Sequence, residues 1–576
     1  MKLNARFIAR VRVVAAGLSL IALCIIGRLY LLQIMNGAEY SARADAQFIQ
    51  PQTPLTDRDA IYFTDKNGNQ ILAATLKSGF TLAVNPAKIS DAGALYTALA
   101  PLLSQYGVAV AQSDFMAKAQ KAGSQYQVVA DHLDASLGTA IQKLQLPGVI
   151  LADDRWRYYP GGSLAAQEIG FVAYNGDSQE GRYGLEQYYQ QTLSHTADDL
   201  YANFFVELFG GVKGALEGQP QTGDVVTTIE PSVQTELERD LAAYMAQWHP
   251  AVAGGIIMDP KTGAIYAMAV NPTFDLNDFG AQQNPAIYAN PLVESVYEMG
   301  SIIKPLTMAA GIDSGAITPD ETYNDTGCIT VDTKPVCNYD LRARGVIPMQ
   351  QILSQSLNVG ASFIATQMGQ NTMRDYFLNH YDLGQQTGID MPGELSGLTS
   401  TLKSAHQVDY DTASFGQGMA ITPVETIRAL ATLANGGYLV TPHFAQAIHY
   451  DTGITQTLAW PTQGPVLKPQ TTTDVSRMLT TVVDTVLAGG KVKLEHYSIA
   501  AKTGTGQIVN HDTGSYYTDR YLHSYFGYLP SYDAKFIILL FAYEPVGAPY
   551  ASETWSDIFS SLTKFLINYY NVPPDR

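Results

Sequence analysis

Apolar residues recur along this chain in three patterns, and each pattern predicts a different kind of element. A nearly continuous apolar run covers residues 13–35, which reaches the ~20 residues that a membrane-spanning helix needs. Elsewhere, apolar side chains return every three or four residues, as in amphipathic helices. Short runs rich in β-branched and aromatic residues, bounded by turn signals, predict buried strands.

The second half of the chain begins and ends with a segment whose apolar residues have helical spacing. The first helix is marked by Val233, Leu237, Leu241, Tyr244 and Met245, and the last by Trp555, Ile558, Phe559, Leu562, Phe565, Leu566 and Tyr569. A helix-rich middle separates two groups of predicted strands, which cover residues 254–258, 264–270, 497–501, 525–528 and 536–541. A sheet with helices at both ends and a helical insert predicts an α+β enzyme core.

The stretch at 37–225 is mixed in pattern and carries few signs of chemistry. Turn residues at 65–70 separate two short apolar runs at 60–63 and 71–73, which predicts a hairpin. Carboxylates are scattered there, and no histidine or cysteine cluster has metal-ligand spacing. We therefore interpret 37–225 as a non-catalytic pedestal, and we predict neither a metal nor a cofactor.

The N-terminal apolar run predicts how the chain is placed in a membrane. Residues 1–38 contain no acidic residue and five basic ones, namely Lys2, Arg6, Arg10, Arg12 and Arg28. By the positive-inside rule, 1–12 is a cytoplasmic tail, 13–35 a transmembrane anchor in the lipid bilayer, and everything after about 37 lies outside. A cleavable signal peptide competes, but the nearest small-x-small triplets, at 42–46, lie far beyond the apolar core. The prediction is a single-pass protein of the inner or plasma membrane.

Charge and cysteine content narrow the possibilities further. The formal net charge is −18 and no basic stripe is present, which argues against a nucleic-acid partner. Cys24 lies in the predicted span, whereas Cys328 and Cys337 flank a predicted short hairpin at 329–336. An oxidising compartment would permit a disulfide between them, but two free thiols fit the sequence equally well.

Three serines in the chain are followed three residues later by a lysine, a spacing that can form a nucleophile–base pair. The pairs are Ser301 and Lys304, Ser400 and Lys403, and Ser561 and Lys564. The last pair falls on the polar face of the closing helix, and a loop suffices for the middle pair. The first pair instead begins an apolar helix, where backbone N–H groups and the helix dipole favour an oxyanion.

Two motifs further along the chain distinguish the first Ser-x-x-Lys pair from the other two. Ser356-Leu357-Asn358 is the only Ser-x-Asn triplet in the chain, and Lys502-Thr503-Gly504-Thr505-Gly506 follows a predicted strand. A second Lys-Thr-Gly, at 261–263, precedes the serine and lies at a predicted hairpin tip, where a turn glycine explains it. Only one set therefore has the order Ser-x-x-Lys, Ser-x-Asn, Lys-Thr-Gly.

This ordered set resembles the penicillin-binding proteins and serine β-lactamases, and in particular the class B, monofunctional penicillin-binding transpeptidases. Five more segments are similar to that class: Gly181-Arg182-Tyr183-Gly184-Leu185-Glu186, residues 259–268, Thr387-Gly388-Ile389-Asp390, Ser414-Phe415-Gly416-Gln417-Gly418 and Ala434-Asn435-Gly436-Gly437. The resemblance covers roughly residues 55–545. The sequence differs from the family pattern at Met299, Ile302, Ile303 and Leu357, where other residues are more usual. None of these side chains is expected to take part in the reaction.

The resemblance implies an architecture and a reaction. The architecture is a transmembrane anchor, an elongated pedestal of the dimerisation-domain kind at 37–225, and a transpeptidase domain at 226–576 with an antiparallel sheet flanked by helices. The reaction is D,D-transpeptidation, in which a D-alanyl-D-alanine stem acylates Ser301 and the amine of a neighbouring stem releases it, cross-linking peptidoglycan. β-Lactams would mimic the donor stem and trap the acyl-enzyme.

The site residues of the family fall on the same motifs. The implied catalytic residues are Ser301, Lys304, Ser356, Asn358 and Lys502, and the implied substrate-binding residues are Thr503, Gly504 and Thr505. Lys304 would be the base, so its pKa must fall to near neutrality, a bias of roughly 4 kcal/mol against the charged form. Ser356 would relay the proton, and Asn358 would orient the lysine or the substrate amide. The residues that follow Lys502 would help it to hold the terminal carboxylate.

Three alternatives stay open at this point. A β-lactamase or penicillin sensor of the same fold needs a positioned water, for which no carboxylate can be assigned, and a D,D-carboxypeptidase differs only in using water as acceptor. An inactive divisome scaffold would need none of the three motifs. The layout favours the septal-division branch, and the resemblance then implies a polytopic peptidoglycan glycosyltransferase and other division or elongation proteins as partners.

Overall fold

The computed structural model describes residues 57–176, 178–195, 222–510 and 512–576. The chain forms two compact units, one containing Leu76–Arg157 and the other Asp57–Thr75 together with the described residues from Tyr158 onward. The predicted tail at 1–12 and anchor at 13–35 lie outside the described residues. Among the residues that are described, no helix is long and apolar enough to cross a membrane.

The larger unit includes residues 158–195, which fall within the predicted pedestal range. Units defined by packing are not functional domains, so the predicted ranges 37–225 and 226–576 stay predictions.

In the smaller unit, three helices pack on a small sheet. The helices are Ala92–Gln105, Gln112–Ala119 and Ala135–Lys143, and the strands are Gln127–Asp134, Val149–Tyr158 and the latter part of Gln70–Val84. Leu99, Phe115 and Ile141 from the helices meet Leu82 and Leu133 from the strands. This unit therefore has a hydrophobic core of its own.

The larger unit starts with the hairpin that the sequence predicts. Ile61–Thr64 pairs antiparallel with the start of Gln70–Val84. Asp65 stabilises the turn, because its Oδ1 accepts hydrogen bonds from the backbone N–H groups of Asn67 and Asn69. The hairpin is thus confirmed, although its second strand is much longer than the apolar run at 71–73.

Five antiparallel strands form the sheet that carries the chemistry, in the order Ala500–Asn510, Ser515–Leu529, Phe536–Tyr543, Val252–Met258 and Ile265–Asn271. All five predicted strands are confirmed. The bounds of two of them are wrong, since the strand expected at 497–501 is Ala500–Asn510 and the strand expected at 525–528 is Ser515–Leu529. Ser498 lies outside the strand, because its backbone N–H donates a hydrogen bond to the carboxylate of Asp575 at 2.7 Å. The Lys-Thr-Gly motif therefore lies inside this strand, which we call the motif strand.

Two long helices pack on this sheet, as the apolar spacing predicts. They are Pro231–Trp248 and Ala551–Tyr570. Their buried side chains include Val233, Leu237, Leu241 and Tyr244 on the first and Trp555, Phe559, Leu562 and Leu566 on the second. Tyr244 stacks on Trp555 with ring centroids 3.8 Å apart, so the two helices share one buried seam.

The helix-rich middle of the chain also packs on the sheet. Pro469–Thr485 contacts the motif strand, Pro423–Ala434 contacts Phe536–Tyr543, and Lys304–Asp313 lies against both of these helices. The other α-helices are Ala166–Ile169, Gly184–Tyr188, Gln190–Leu193, Pro291–Glu294, Gln350–Ser354, Asn358–Asp375 and Gln407–Ala413. Single turns of 3-10 helix are Pro86–Lys88, Phe279–Ala281, Pro285–Tyr288, Gly300–Ile303, Ser400–Lys403 and Leu487–Gly490, and Tyr376–His380 is a π-helical turn.

The remaining strands either extend the sheet of the first hairpin, as Gly223–Thr227, Ala445–Tyr450 and Thr455–Thr457 do, or form two-stranded ladders. They are Val172–Asn175, Ser178–Gly181, Gly223–Thr227, Thr322–Asp325, Cys328–Val331, Lys334–Cys337, Gly345–Pro348, Leu439–Val440, Ala445–Tyr450, Thr455–Thr457 and Thr462–Gln463. Cys328–Val331 pairs antiparallel with Lys334–Cys337, which confirms the predicted hairpin. A disulfide joins Cys328 to Cys337, so the structure selects the disulfide over two free thiols.

The middle Ser-x-x-Lys pair lies in a 3-10 turn, Ser400–Lys403, where the sequence predicts a loop. Leu402 is fully buried and anchors this turn, while Ser400 and Lys403 are exposed. Four residues are too few to display a helical period, so the turn was not visible in the apolar pattern.

Candidate active site

Ser301 lies where a tight turn leads into a buried helix. Gly300–Ile303 forms one 3-10 turn, and the helix Lys304–Asp313 continues directly from it. Pro305 suits the first turn of that helix, because a backbone N–H there would have no helical partner. Gly300 has a φ of 64°, a left-handed conformation that favours glycine. The turn therefore fixes Ser301 at the start of the helix.

The amine of Lys304 contacts two serines. Its Nζ lies 3.0 Å from Ser301 Oγ, 3.2 Å from Ser356 Oγ and 2.6 Å from Ser356 O. A neutral amine has two N–H donors and one lone pair, so it can donate twice to Ser356 and accept from the Ser301 hydroxyl. The residue is only 1% exposed. This is the arrangement of a base beside its nucleophile.

Ser356 connects this pair to the motif strand. Its φ of 55° is uncommon for a residue other than glycine, and both its carbonyl and its hydroxyl contact Lys304. Lys502 Nζ donates to Ser356 Oγ at 3.0 Å and to Thr503 O at 2.7 Å. The three sequence motifs thus form one hydrogen-bonded chain, from Ser301 through Lys304 and Ser356 to Lys502.

Burial disfavours the charged form of both lysines. Burial, and then the charge of Lys502, lowers the pKa of Lys304 well below its usual value. Burial also lowers the pKa of Lys502 to about 7. The charge of Lys502 adds to the effect of burial on Lys304, whereas burial alone acts on Lys502, so Lys304 is the one that loses its proton first. The site therefore holds a neutral Lys304 beside a Lys502 that can carry the charge.

The motif strand lies directly on the backbone of the serine turn. A Cβ on Gly504 would come within 2.8 Å of Met299 O, and one on Gly506 within 2.6 Å of Glu298 O. Ser524, on the neighbouring strand, donates from Oγ to Met299 O at 2.8 Å. Since no side chain separates the two backbones, glycine is needed at both positions.

Thr503 and Thr505 alternate with these glycines and lie on the other side of the motif strand. Both are partly exposed. Thr505 Oγ1 accepts a hydrogen bond from the backbone N–H of Ala551 at 3.1 Å. This bond ties the motif strand to the start of the last helix.

Asn358 has a partner that the sequence does not predict. Its Nδ2 donates to the carbonyl of Cys337 at 3.0 Å, and the next residue, Val359, donates its backbone N–H to Asn338 Oδ1 at 3.1 Å. The Ser-x-Asn motif is therefore held by the disulfide hairpin. The expected role of Asn358, orientation of the lysine or the substrate amide, stays a prediction.

Sequence reasoning missed a loop that supports the serine turn. Gly300 donates its backbone N–H to Gly416 O at 3.1 Å, and a Cβ on Gly416 would lie 2.2 Å from Gly300 O. The Phe415 ring centroid lies 6.0 Å from Lys304 Nζ. Its signal in the sequence is the pair of glycines in Ser414-Phe415-Gly416-Gln417-Gly418, one of the segments that resemble the family.

The duplicate motifs have structural explanations. Ser561 and Lys564 are both exposed on the last helix, which confirms their interpretation as a surface pair. Gly263 has a φ of 85° in the turn between two strands, which confirms that a turn glycine explains the first Lys-Thr-Gly. In the same turn, Lys261 forms an ion pair with Asp533.

A cluster with metal-binding chemistry lies elsewhere in the larger unit, and its members are too far apart in sequence to suggest it. Ligand atoms of Asp59, His195 and Asp451 all lie within 4.8 Å of one another. The hydrogen bond between His195 Nε2 and Asp59 Oδ2, at 3.1 Å, raises the pKa of His195, and both carboxylates favour the imidazolium. An ion pair accounts for these contacts without a metal.

Comparison with known families is consistent with the geometry of the three motifs. The sequence profile of the penicillin binding protein transpeptidase domain matches residues 253–561, more than half of the chain. The chain belongs to the penicillin-binding protein family. A second profile, the penicillin-binding protein dimerisation domain, matches residues 58–203.

Relatives of this penicillin-binding protein cover most of its length. Stage V sporulation protein D of Bacillus subtilis is 28% identical, over 84% of this chain and 74% of the relative. Penicillin-binding protein PbpB of Mycobacterium tuberculosis is 27% identical, over 99% of this chain and 86% of the relative. Peptidoglycan D,D-transpeptidase FtsI of Escherichia coli K12 is 24% identical, over 99% of this chain and 94% of the relative.

Solved structures show that this penicillin-binding protein has the fold of its relatives. Penicillin Binding Protein 2X from Streptococcus thermophilus superposes with a TM-score of 0.71 at 21% identity, covering 90% of this chain and 81% of that one. Penicillin binding protein 3 from Mycobacterium tuberculosis, in complex with aztreonam, superposes with a TM-score of 0.67 at 22% identity. The match covers 91% of this chain and 98% of that one.

Proposed function

We propose that this penicillin-binding protein is a serine-type peptidoglycan D,D-transpeptidase that acts through a Ser301 acyl-enzyme and is inhibited by β-lactams. The observation that carries the proposal is the buried amine of Lys304, 3.0 Å from Ser301 Oγ. Its pKa is lowered well below the usual value, so the amine is neutral and can accept the hydroxyl proton.

Acylation begins as Lys304 takes the proton of the Ser301 hydroxyl. Ser301 Oγ bonds to the carbonyl carbon of the penultimate D-alanine, and the carbonyl π electrons move onto its oxygen. The backbone N–H groups of Ser301 and Thr505 form the oxyanion hole.

The tetrahedral intermediate collapses by breaking the C–N bond to the terminal D-alanine. The departing amine takes a proton from Ser356, which regains one from Lys304 through their contact at 3.2 Å. Lys304 is then neutral again. The amine of an acceptor stem attacks the ester and loses its proton along the same route, and Ser301 leaves with a proton from Lys304.

The motif strand supplies recognition of the donor. Lys502 carries the positive charge of the site, and the hydroxyls of Thr503 and Thr505 lie on one side of the same strand. A terminal carboxylate beside these groups would receive charge-assisted hydrogen bonds, while Gly504 lets the backbone of the peptide approach. The same groups would bind the carboxylate of a β-lactam.

The cellular setting follows from the N-terminal sequence and the relatives. We assign 13–35 as a single membrane anchor with residues 1–12 in the cytoplasm, the pedestal to 37–225 and the transpeptidase domain to 226–576. The FtsI and sporulation relatives favour a role in septal peptidoglycan synthesis. A polytopic peptidoglycan glycosyltransferase is then the expected partner.

Labelling with a fluorescent penicillin tests the nucleophile. Wild-type protein is expected to acquire a stable covalent label on the Ser301 peptide, and Ser301→Ala none. Ser561→Ala is the matched control, because it removes an exposed serine with the same spacing to a lysine, and it should label as wild type. Undiminished labelling of Ser301→Ala would overturn the assignment, and rapid hydrolytic loss of label would favour a β-lactamase.

A second assay separates the transpeptidase from a carboxypeptidase. Purified protein is incubated with a stem pentapeptide ending in D-alanyl-D-alanine and an excess of a labelled D-amino acid. Incorporation of the labelled amine at the stem terminus is expected. Release of D-alanine with hydrolysis alone would contradict transpeptidation.

A further inference from the structure

Glu298 lies three residues before the nucleophile and joins three segments around it. Its carboxylate accepts a hydrogen bond from the Tyr516 hydroxyl at 2.9 Å, and the backbone N–H of Gly418 lies close enough to both groups to favour their charged forms. Its own carbonyl packs against Gly506, whose Cβ would lie only 2.6 Å away. One residue thus contacts the motif strand, the loop at 414–418 and the strand Ser515–Leu529.

The strand pairing is irregular at this point. Gln507 pairs with Tyr521, whereas Val509 pairs with Tyr516, so one residue on the motif strand lies opposite the four residues 517–520. The extra residues are left unpaired and disrupt the ladder locally. The hydrogen bond from Tyr516 to Glu298 connects the segment beyond the irregularity to the serine turn.

The backbone contact beside Glu298 lies between the two proposed oxyanion donors. The backbones of 298–301 and 504–506 touch directly at Gly300, Gly504 and Gly506. The two proposed oxyanion donors, the N–H groups of Ser301 and Thr505, lie on opposite sides of this contact. Their separation therefore depends on how the two backbones are held together.

We propose that Glu298 and Tyr516 form a clasp that positions the serine turn against the motif strand and so fixes the distance between the two oxyanion donors. Glu298 is a positioning residue in this proposal, and it does not exchange a proton with substrate. The inference rests on the proposed acyl-enzyme function, because it concerns the rate of that acylation step.

A clasp of this kind has a defined kinetic signature. Oxyanion stabilisation acts in the transition state, whereas initial binding of a β-lactam does not require it. We therefore expect loss of the clasp to lower the acylation rate constant and to leave the dissociation constant of the initial complex within about twofold. Removal of an entire oxyanion donor costs about 10²–10³-fold, so a misplaced donor should cost about tenfold.

Stopped-flow acylation by a fluorescent penicillin, over a range of concentrations, separates the two constants. Glu298→Ala and Tyr516→Phe are expected to lower the acylation rate constant about tenfold. Glu298→Gln should restore most of it, because an amide can accept from Gly418 and still hydrogen bond to the Tyr516 hydroxyl. Tyr450→Phe is the matched control, since it removes a hydroxyl that donates to Gln456 at 2.5 Å in a distant hairpin.

The outcomes separate this inference from the proposed function. If wild type acylates at Ser301 and Glu298→Ala and Tyr516→Phe both retain the wild-type rate constant, the clasp is wrong while the function stands. A change confined to the dissociation constant would also overturn it. If wild type does not acylate at Ser301, the proposed function itself fails. Tyr516 is 37% exposed, so Tyr516→Phe tests the clasp even if Glu298→Ala does not fold.

Discussion

At the residue scale, the proposed mechanism depends on the charge of two buried lysines. In that mechanism Lys304 is neutral when it accepts the serine proton, and Lys502 is charged when it holds a carboxylate. Burial lowers the pKa of both, and Ser356 lies between them. The chemistry therefore depends on which lysine carries a proton, a property that a motif match alone does not reveal.

We expect the second-order acylation constant to have a bell-shaped dependence on pH. It should fall at low pH, as protonation removes the neutral form of Lys304, and fall again above about pH 7, where Lys502 loses its charge. Stopped-flow labelling between about pH 5 and pH 9 measures both limbs.

Lys502→Arg provides the matched variant, since a guanidinium stays protonated throughout this range. The alkaline limb should disappear in that variant while the acid limb remains. An alkaline limb that survives the substitution would show that Lys502 is not the group responsible.

The residue scale also shows what the sequence could predict about the site. The resemblance placed Ser301, Lys304, Ser356 and Lys502 in three motifs, and the structure brings all four into one hydrogen-bonded chain. It could not show that Asn358 binds Cys337 O, because that contact depends on a hairpin about twenty residues away. Contacts of this kind are set by packing and leave no periodic signal.

At the scale of elements, the disulfide hairpin is the support of the Ser-x-Asn motif. We expect reduction of Cys328–Cys337 to destabilise the protein by about 2–3 kcal/mol, as for a short closed loop. It should also slow acylation, because the carbonyl that holds Asn358 belongs to Cys337. Thermal melts and fluorescent penicillin labelling, with and without dithiothreitol, measure the two effects.

A double variant, Cys328→Ser with Cys337→Ser, serves as the control. It should behave like the reduced protein and show no further response to dithiothreitol. If reduced wild type labels at the oxidised rate, the hairpin does not position Asn358.

Helices that span several turns could be predicted from apolar spacing, and buried strands from short apolar runs. The closing helix buries the stripe that its sequence displays, from Trp555 to Leu566, since packing on the sheet uses that stripe directly. The start of the motif strand was wrong, because the bond from Ser498 to Asp575 joins residues that are distant in the chain. The turn at Ser400–Lys403 was too short to show a period.

At the scale of the whole molecule, the Asp59–His195–Asp451 cluster joins distant parts of the larger unit. The hydrogen bond to Asp59 raises the pKa of His195 above its usual value near 6.5. Its stabilisation is therefore fully present below about pH 6.5 and is lost as pH rises through the raised, folded-state pKa.

We expect His195→Gln to lower the melting temperature by a few degrees at about pH 5.5 and by less at about pH 8.5. Differential scanning fluorimetry at both pH values measures the difference. His406→Gln is the matched control, because His406 is exposed, and its effect should be small at both. An equal loss at both pH values for His195→Gln would contradict an ionic contribution.

The overall architecture was more predictable than the contacts that stabilise it. Apolar spacing predicts the fold class, the strands of the sheet and the helices that flank it. The order of the three motifs indicates the family. The sequence does not predict the close approach of Gly504 and Gly506 to the serine turn, the support from Gly416 or the hydrogen bond between Tyr516 and Glu298. Each of these joins backbone segments that are about a hundred residues or more apart in the chain.

The burial of Lys304 has a consequence for covalent amine reagents. An activated ester reacts only with a neutral amine, so Lys304 has the most reactive protonation state but almost no access, at 1% exposure. Surface lysines have the opposite combination. Slow modification of Lys304, followed by mass spectrometry, would therefore report how often the interior around Ser301 opens to solvent, without any substrate or antibiotic present.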